Sequence, residues 1–317
     1  MTPMDPELAA LLPHLPAPSV ADPAAARQRM RDMFANRAAA RPPSWTERVE
    51  ISSATISASD GHAIPIRTYR PLTGTTPRGA LVHFHGGAFI GGDLDLSEGA
   101  VGRMADVANL LVVDVDYRLA PEHPFPSGFN DCYDALVWVA DRAVALMVDP
   151  ERIAVGGESA GGALAAGVAI AARDRGGPAI AYQQLLYAVL DDALTTRSVR
   201  ELVDAPMWDA PSTALMWDHY LGPVESRGEV SPYAAPMRAA DRPDGLAELP
   251  PAYILACEHD PLRDEEIAYA SALIAAGVSV ELHVVPGTFH GFEGLSTQIG
   301  KRTTNEYCDS LRRALAE

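Results

Sequence analysis

Apolar residues along this chain fall into short unbroken runs, separated by longer stretches that mix apolar and polar positions. Leu110-Leu111-Val112-Val113 and Tyr253-Ile254-Leu255-Ala256 are continuous rather than alternating. A strand with that pattern is covered on both faces, as in a parallel sheet. From Ala80 onward, strands are predicted at 80–85, 110–115, 152–156, 180–187, 252–257 and 280–285. Helices are predicted between and after them at 97–109, 128–146, 160–174, 263–276 and 297–316. Ahead of these, 48–57 and 63–70 alternate with period two, and Asp60-Gly61 between them is a hairpin signal. Such strand–helix alternation predicts an α/β architecture, a mostly parallel sheet with helices on both faces.

Two segments depart from this texture. The first 45 residues are rich in Pro and Ala, with a predicted helix at 21–40 ended by Pro42 and Pro43. Between 190 and 250 the alternation lapses, and Met207, Trp208, Met216, Trp217 and Tyr220 appear. A long interruption of this kind is usually a functional insertion such as a lid. The predicted division is therefore an N-terminal cap at 1–45, core at 46–190, a cap insertion at 191–235, and core again at 236–317.

Three loops at predicted strand ends carry chemistry. Gly157-Glu158-Ser159-Ala160-Gly161 has the form G-x-S-x-G between a strand and a helix. This is the context of a nucleophile elbow, where small residues on either side let a strained serine project. The bland alternative is a glycine-rich turn that binds phosphate. His85-Gly86-Gly87-Ala88 follows strand 80–85, and the amides of Gly86, Gly87 and Ala160 are candidate oxyanion donors. Downstream lie Cys257-Glu258-His259-Asp260 and His290-Gly291-Phe292, in the order serine, acid, histidine. Ser159, His290 and Asp260 are the candidate nucleophile, base and orienting acid. Asp260 before Pro261 also fits a helix N-cap, and Glu258 and Asp264 are rival carboxylates. His83 and His85 share a strand face, but no further ligand is evident and no metal is expected.

Composition narrows the role. The 317 residues allow one large domain or two ordinary ones. A net charge of −17 opposes nucleic-acid binding and docking on anionic lipid. Cys132, Cys257 and Cys308 are few, odd in number and widely spaced, which indicates neither a disulfide framework nor a zinc site. No signal-peptide pattern precedes Arg27, the first basic residue. The longest mild apolar stretch, 161–172, is too short to span a bilayer. A cytoplasmic protein without membrane or nucleic-acid partners is expected.

Taken together, several motifs resemble the bacterial hormone-sensitive lipase-like carboxylesterases of the α/β-hydrolase superfamily. They are His85-Gly86-Gly87-Ala88, the string from Asp116 to Pro126 (Asp-Tyr-Arg-Leu-Ala-Pro-Glu-His-Pro-Phe-Pro), the elbow, Asp260-Pro261-Leu262-Arg263-Asp264-Glu265 and His290-Gly291-Phe292. The match runs from about residue 45 to the C-terminus. The resemblance implies an α/β-hydrolase fold with a helical cap, and Asp260 as the triad acid. It further implies hydrolysis of short- to medium-chain acyl esters without a cofactor, and a homodimer through the edge strand near 280–285. An amide or arylformamide hydrolase, or a non-catalytic small-molecule binder on the same fold, is the alternative. Ala88 stands where a third glycine is usual, and Glu158 where Asp or Thr is usual. Both, with Met207, Trp208, Trp217 and Phe34, are candidate substrate contacts. Arg118, Glu122 and His123 are read as braces of the turn after strand 110–115.

Overall fold

A computed structural model of the protein describes residues 3–38, 44–224, 227–243 and 245–316, with the side chains of 34–38 left aside. Two N-terminal helices, α1 (Pro6–Leu11) and α2 (Pro23–Ala38), precede the hairpin β1 (Val49–Ser57) and β2 (Ala63–Pro71). The alternating part follows: β3 (Arg78–Phe84), α3 (Leu94–Ala108), β4 (Leu111–Val115), α4 (Ser127–Asp141), β5 (Val148–Glu158), α5 (Ala160–Asp174) and β6 (Tyr182–Leu186). Short helices α6 (Arg197–Glu201), α7 (Ala210–Leu221) and α8 (Met237–Ala240) fill the interruption. The chain closes with β7 (Ala252–Cys257), α9 (Arg263–Ala275), β8 (Val280–Val285) and α10 (Gln298–Ala314).

The eight strands form one sheet in the order β1-β2-β4-β3-β5-β6-β7-β8. β1, β2 and β4 pair antiparallel, and every other pairing is parallel. The unbroken apolar runs now have a cause. Leu81, Val112, Ala154 and Tyr253 point to a core shared with Met104 and Leu311 of α3 and α10. Their neighbours Val82, Val113, Val155 and Ile254 point to the opposite core, with Leu136, Leu164 and Leu273 of α4, α5 and α9. Successive side chains alternate faces, so a strand with a core on each side must be apolar throughout.

Most predicted elements lie within a few residues of those observed. Two differ instructively. The helix expected to reach 146 stops at Asp141, because Leu146 and Met147 turn the chain into β5 and Met147 takes φ 56°. The strand expected at 152–156 instead runs over Val148–Glu158, since Arg78 pairs with Val148 across an irregularity in the ladder. The expected helix stop at Pro42 and Pro43 falls outside the described residues. Among the described residues no helix is long and apolar enough to cross a membrane.

Four loops leave the C-terminal ends of β3, β5, β7 and β8 on one edge of the sheet. In an open α/β sheet that edge is where ligand sites form.

Candidate active site

Ser159 sits between β5 and α5 with φ 58° and ψ −120°, a conformation that side chains avoid and that persists only when the surroundings enforce it. The enforcement is visible. The Ser159 amide donates to Leu186 O at 2.8 Å, and its carbonyl accepts from Val189 at 3.2 Å. The flanking glycines are required: a Cβ on Gly157 would lie 2.2 Å from Phe84 O, and one on Gly161 only 1.8 Å from the same atom.

His290 reaches this serine from the loop after β8. Its Nε2 lies 2.9 Å from Ser159 Oγ, and its Nδ1 lies 2.7 Å from Asp260 Oδ2. A carboxylate only accepts, so Nδ1 carries the proton and Nε2 is left to accept from the hydroxyl. The two supporting loops are tied together by His259 N donating to Thr288 O at 2.8 Å. Asp260 Oδ1 also accepts from Leu262 N at 3.0 Å, which shapes the turn ahead of α9 but does not cap it: the N-cap is Leu262, with no side-chain cap. The rival carboxylates are engaged elsewhere: Glu258 accepts from Gly287 N, and Asp264 pairs with Arg263 and accepts from Ser198 N. Trp208 and Tyr187 pack on the His290 ring, with centroids at 5.8 and 4.8 Å.

The loop after β3 differs from expectation at one donor. The Gly86 amide is already given to Glu158 Oε1 at 2.9 Å, which removes it from the set aimed at a substrate oxygen. The Gly86 carbonyl in turn accepts from His85 Nδ1 at 2.9 Å. The amides of Gly87 and Ala160 have no acceptor among the described residues; Gly87 lines the same cavity as the serine, and Ala160 follows the serine in the chain. His85 therefore braces the loop. It stacks on Tyr117 at 4.3 Å, and the Tyr117 hydroxyl donates to its carbonyl.

Behind the loop lies a buried chain that sequence reasoning missed. His83 donates from Nδ1 to Asp114 Oδ1 at 2.7 Å and from Nε2 to Glu158 Oε2 at 2.9 Å. Burial alone would lower the His83 pKa. The two carboxylates outweigh it and raise the ring to about 10. Burial would likewise raise Glu158, but the His83 charge and the hydrogen bonds from His83 and Gly86 hold it below its ordinary value. A signal existed: Asp114 interrupts the apolar run of β4, and a charge inside a covered strand must be paired. With both ring nitrogens engaged by carboxylates, His83 is not free as a ligand; His85 gives Nδ1 to the Gly86 carbonyl and keeps only Nε2 without a hydrogen-bond partner among the described residues. Among the described residues no cluster suited to a metal occurs.

A cavity of about 260 Å³ opens over Ser159. Its walls are mainly apolar and include Met30, Met33, Leu96, Met104, Met207 and Trp208. Ala88 and Glu158 also line it. Trp217 does not: it is fully buried against Phe89 and Tyr220, on the side of α7 that faces the protein interior. The Phe34 side chain lies outside the described residues. Arg27 on α2 grips Glu122 at 2.6 Å and Ala120 O at 3.0 Å, and Arg118 clasps Asp131 and Asp60. The string from 116 to 126 is thus a brace for the helix over the cavity.

Residues 81–294 match the profile of a family described as alpha/beta hydrolase fold. The chain belongs to that family. Within it, the chain resembles the esterase LipI of Mycobacterium tuberculosis, with 40 % identity over 92 % of this chain and 88 % of the relative. It also resembles the carboxylesterase NlhH of the same organism, with 37 % identity over 92 % of this chain and 89 % of the relative. Among solved structures, a bacterial heroin esterase superposes with TM-score 0.93 at 40 % identity, covering 99 % of this chain and 98 % of that one. An esterase from Pyrobaculum calidifontis superposes with TM-score 0.86 at 33 % identity, covering 99 % and 100 %. This α/β hydrolase is accordingly one of the hormone-sensitive lipase-like carboxylesterases.

Proposed function

We propose that the protein hydrolyses short- to medium-chain carboxylic esters through an acyl-enzyme intermediate on Ser159. The observation that carries this reading is the continuous relay from Ser159 Oγ to His290 at 2.9 Å and on to Asp260 at 2.7 Å.

As Oγ attacks the acyl carbon, its proton passes to His290 Nε2, and Asp260 stabilises the imidazolium. The carbonyl oxygen becomes an oxyanion facing the Gly87 and Ala160 amides, with Ala88 beside them; each such donor is worth about 3 kcal/mol of barrier. The α5 N-terminus adds a favourable dipole. Collapse expels the alcohol, which takes the proton from Nε2. Water then surrenders a proton to His290 and attacks the acyl-serine, and the same donors hold the second oxyanion. Its collapse breaks the bond to Ser159 Oγ, which takes the proton back from Nε2 as the carboxylic acid leaves. The apolar walls and modest cavity favour small hydrophobic acyl groups. Residues 1–45 and 191–235 act as the cap, supported by Met30, Met33, Met207 and Trp208 in the cavity wall. The intact serine–imidazole contact argues against a non-catalytic binder.

Turnover of p-nitrophenyl butyrate by the wild type and by Ser159→Ala tests the reading. A loss of at least a thousandfold is expected; equal turnover would overturn it. The proposal extends to a cytoplasmic homodimer joined along β8, an edge strand on which Val284 is 41 % exposed, and sedimentation checks the oligomer.

A further inference from the structure

We propose that Glu158, backed by His83 and Asp114, is a positioning residue that aims the Gly87 amide at the substrate oxygen. This rests on the esterase reading above.

The peptide between Gly86 and Gly87 sets the direction of the donor. In a trans peptide the C=O and N–H point in opposite directions. His85 Nδ1 holds the Gly86 carbonyl on one side, so the Gly87 N–H is turned to the other. That orientation holds only if Gly86 itself cannot swivel, and glycine is the residue least able to resist. Glu158 Oε1 supplies the second grip by accepting the Gly86 N–H at 2.9 Å. The fit is close: a Cβ on Gly86 would lie 3.0 Å from Glu158 O and 3.2 Å from its Cγ.

Glu158 needs its own anchor. Its Oε2 accepts from His83 Nε2, and His83 Nδ1 donates to Asp114. A ring that donates from both nitrogens is an imidazolium. His83 and Asp114 stand opposite each other in the β3–β4 ladder, which fixes their separation. Asp114 also accepts from the Ser97 hydroxyl of α3. The chain Ser97–Asp114–His83–Glu158–Gly86 thus runs from a core helix across three strands to the loop. Its members are held by the rigid part of the fold, as supporting residues of a precise site must be.

The test separates aim from stability. Glu158→Ala, Glu158→Gln and His83→Asn are assayed on p-nitrophenyl butyrate, with kcat expressed per active site by phosphonate titration. Affinity is measured for a trifluoromethyl ketone, whose adduct with Ser159 carries an oxyanion. In Glu158→Ala, kcat falls by about 10- to 100-fold with KM within about threefold, and ketone affinity falls by the same factor. Glu158→Gln stays within about threefold, because its amide oxygen can accept from Gly86 and its NH2 can donate to a neutral His83. His83→Asn shows the same pattern as Glu158→Ala at smaller size, and stands in where Glu158→Ala yields no folded protein. A kcat per site in Glu158→Ala equal to wild type, or a loss without the matching loss of ketone affinity, overturns the positioning role. An inactive wild type would instead overturn the esterase reading.

Discussion

Gly161→Ala should disable this protein through geometry rather than chemistry. The added Cβ would stand 1.8 Å from Phe84 O, 2.6 Å from Phe84 C and 2.7 Å from His85 O. These are backbone atoms and have no rotamer through which to escape. Real Cβ contacts essentially never fall under 3.0 Å, so α5 and the end of β3 must part by more than 1 Å. The two pieces forced apart are the ones that carry the Ala160 and Gly87 amides. A misplacement of about 1 Å in a reacting constellation costs on the order of a hundredfold in rate. That corresponds to about 2.7 kcal/mol of barrier. We expect kcat per active site on p-nitrophenyl butyrate to fall at least that far, together with a lower Tm. Gly99→Ala is the control. A Cβ there meets nothing within 4 Å, and the position is exposed on α3. It should keep full activity and gain about 0.5–1 kcal/mol of stability. Gly161→Ala with kcat within threefold of wild type would refute the crowding argument and the assignment of those donors.

Three further expectations follow from other parts of the structure. Asp260→Asn keeps the shape but favours the wrong imidazole tautomer, so kcat should drop by about 10³- to 10⁴-fold; a loss under tenfold would remove Asp260 from the relay. Glu122 is pulled down to about 2, first by its hydrogen bond with Arg27, so this latch on α2 is intact above pH 4.5 and lost as pH falls towards 2. Hydrogen exchange of α2 should accelerate over that window in the wild type and be fast at every pH in Arg27→Ala; a pH-independent wild type would count against the latch. Glu266 is fully buried with neither oxygen well hydrogen-bonded, and burial above all raises its pKa. The unfolded chain therefore ionises it first as pH rises, and stability is lost above its ordinary value of 4.5. Glu266→Met should raise Tm at pH 8 by a few degrees, about 1–2 kcal/mol, and raise it less at pH 5; a lower Tm at pH 8 would contradict this.

The α/β architecture was legible because burial on both faces leaves a direct mark, the unbroken apolar runs of β4 and β7. The elbow and the order of Ser159, Asp260 and His290 were equally legible, since each lies where a strand gives way to turn residues. The loop after β3 was readable only in outline. Its glycines announce close backbone approach, yet not which amide is already taken. Nor did local pattern separate Trp208, in the cavity wall, from Trp217, buried behind it: both are aromatics in an irregular stretch.

What the sequence determined alone was therefore whatever depends on neighbours along the chain: periodicity, turn chemistry and the small residues that a strained serine demands. Only the tertiary structure decided which groups meet across strands. The pairing of His83 with Asp114 and Glu158 joins three strands, and the loss of the Gly86 amide to Glu158 joins residues 72 positions apart. Such contacts are set by sheet order and register, which no local stretch of sequence encodes.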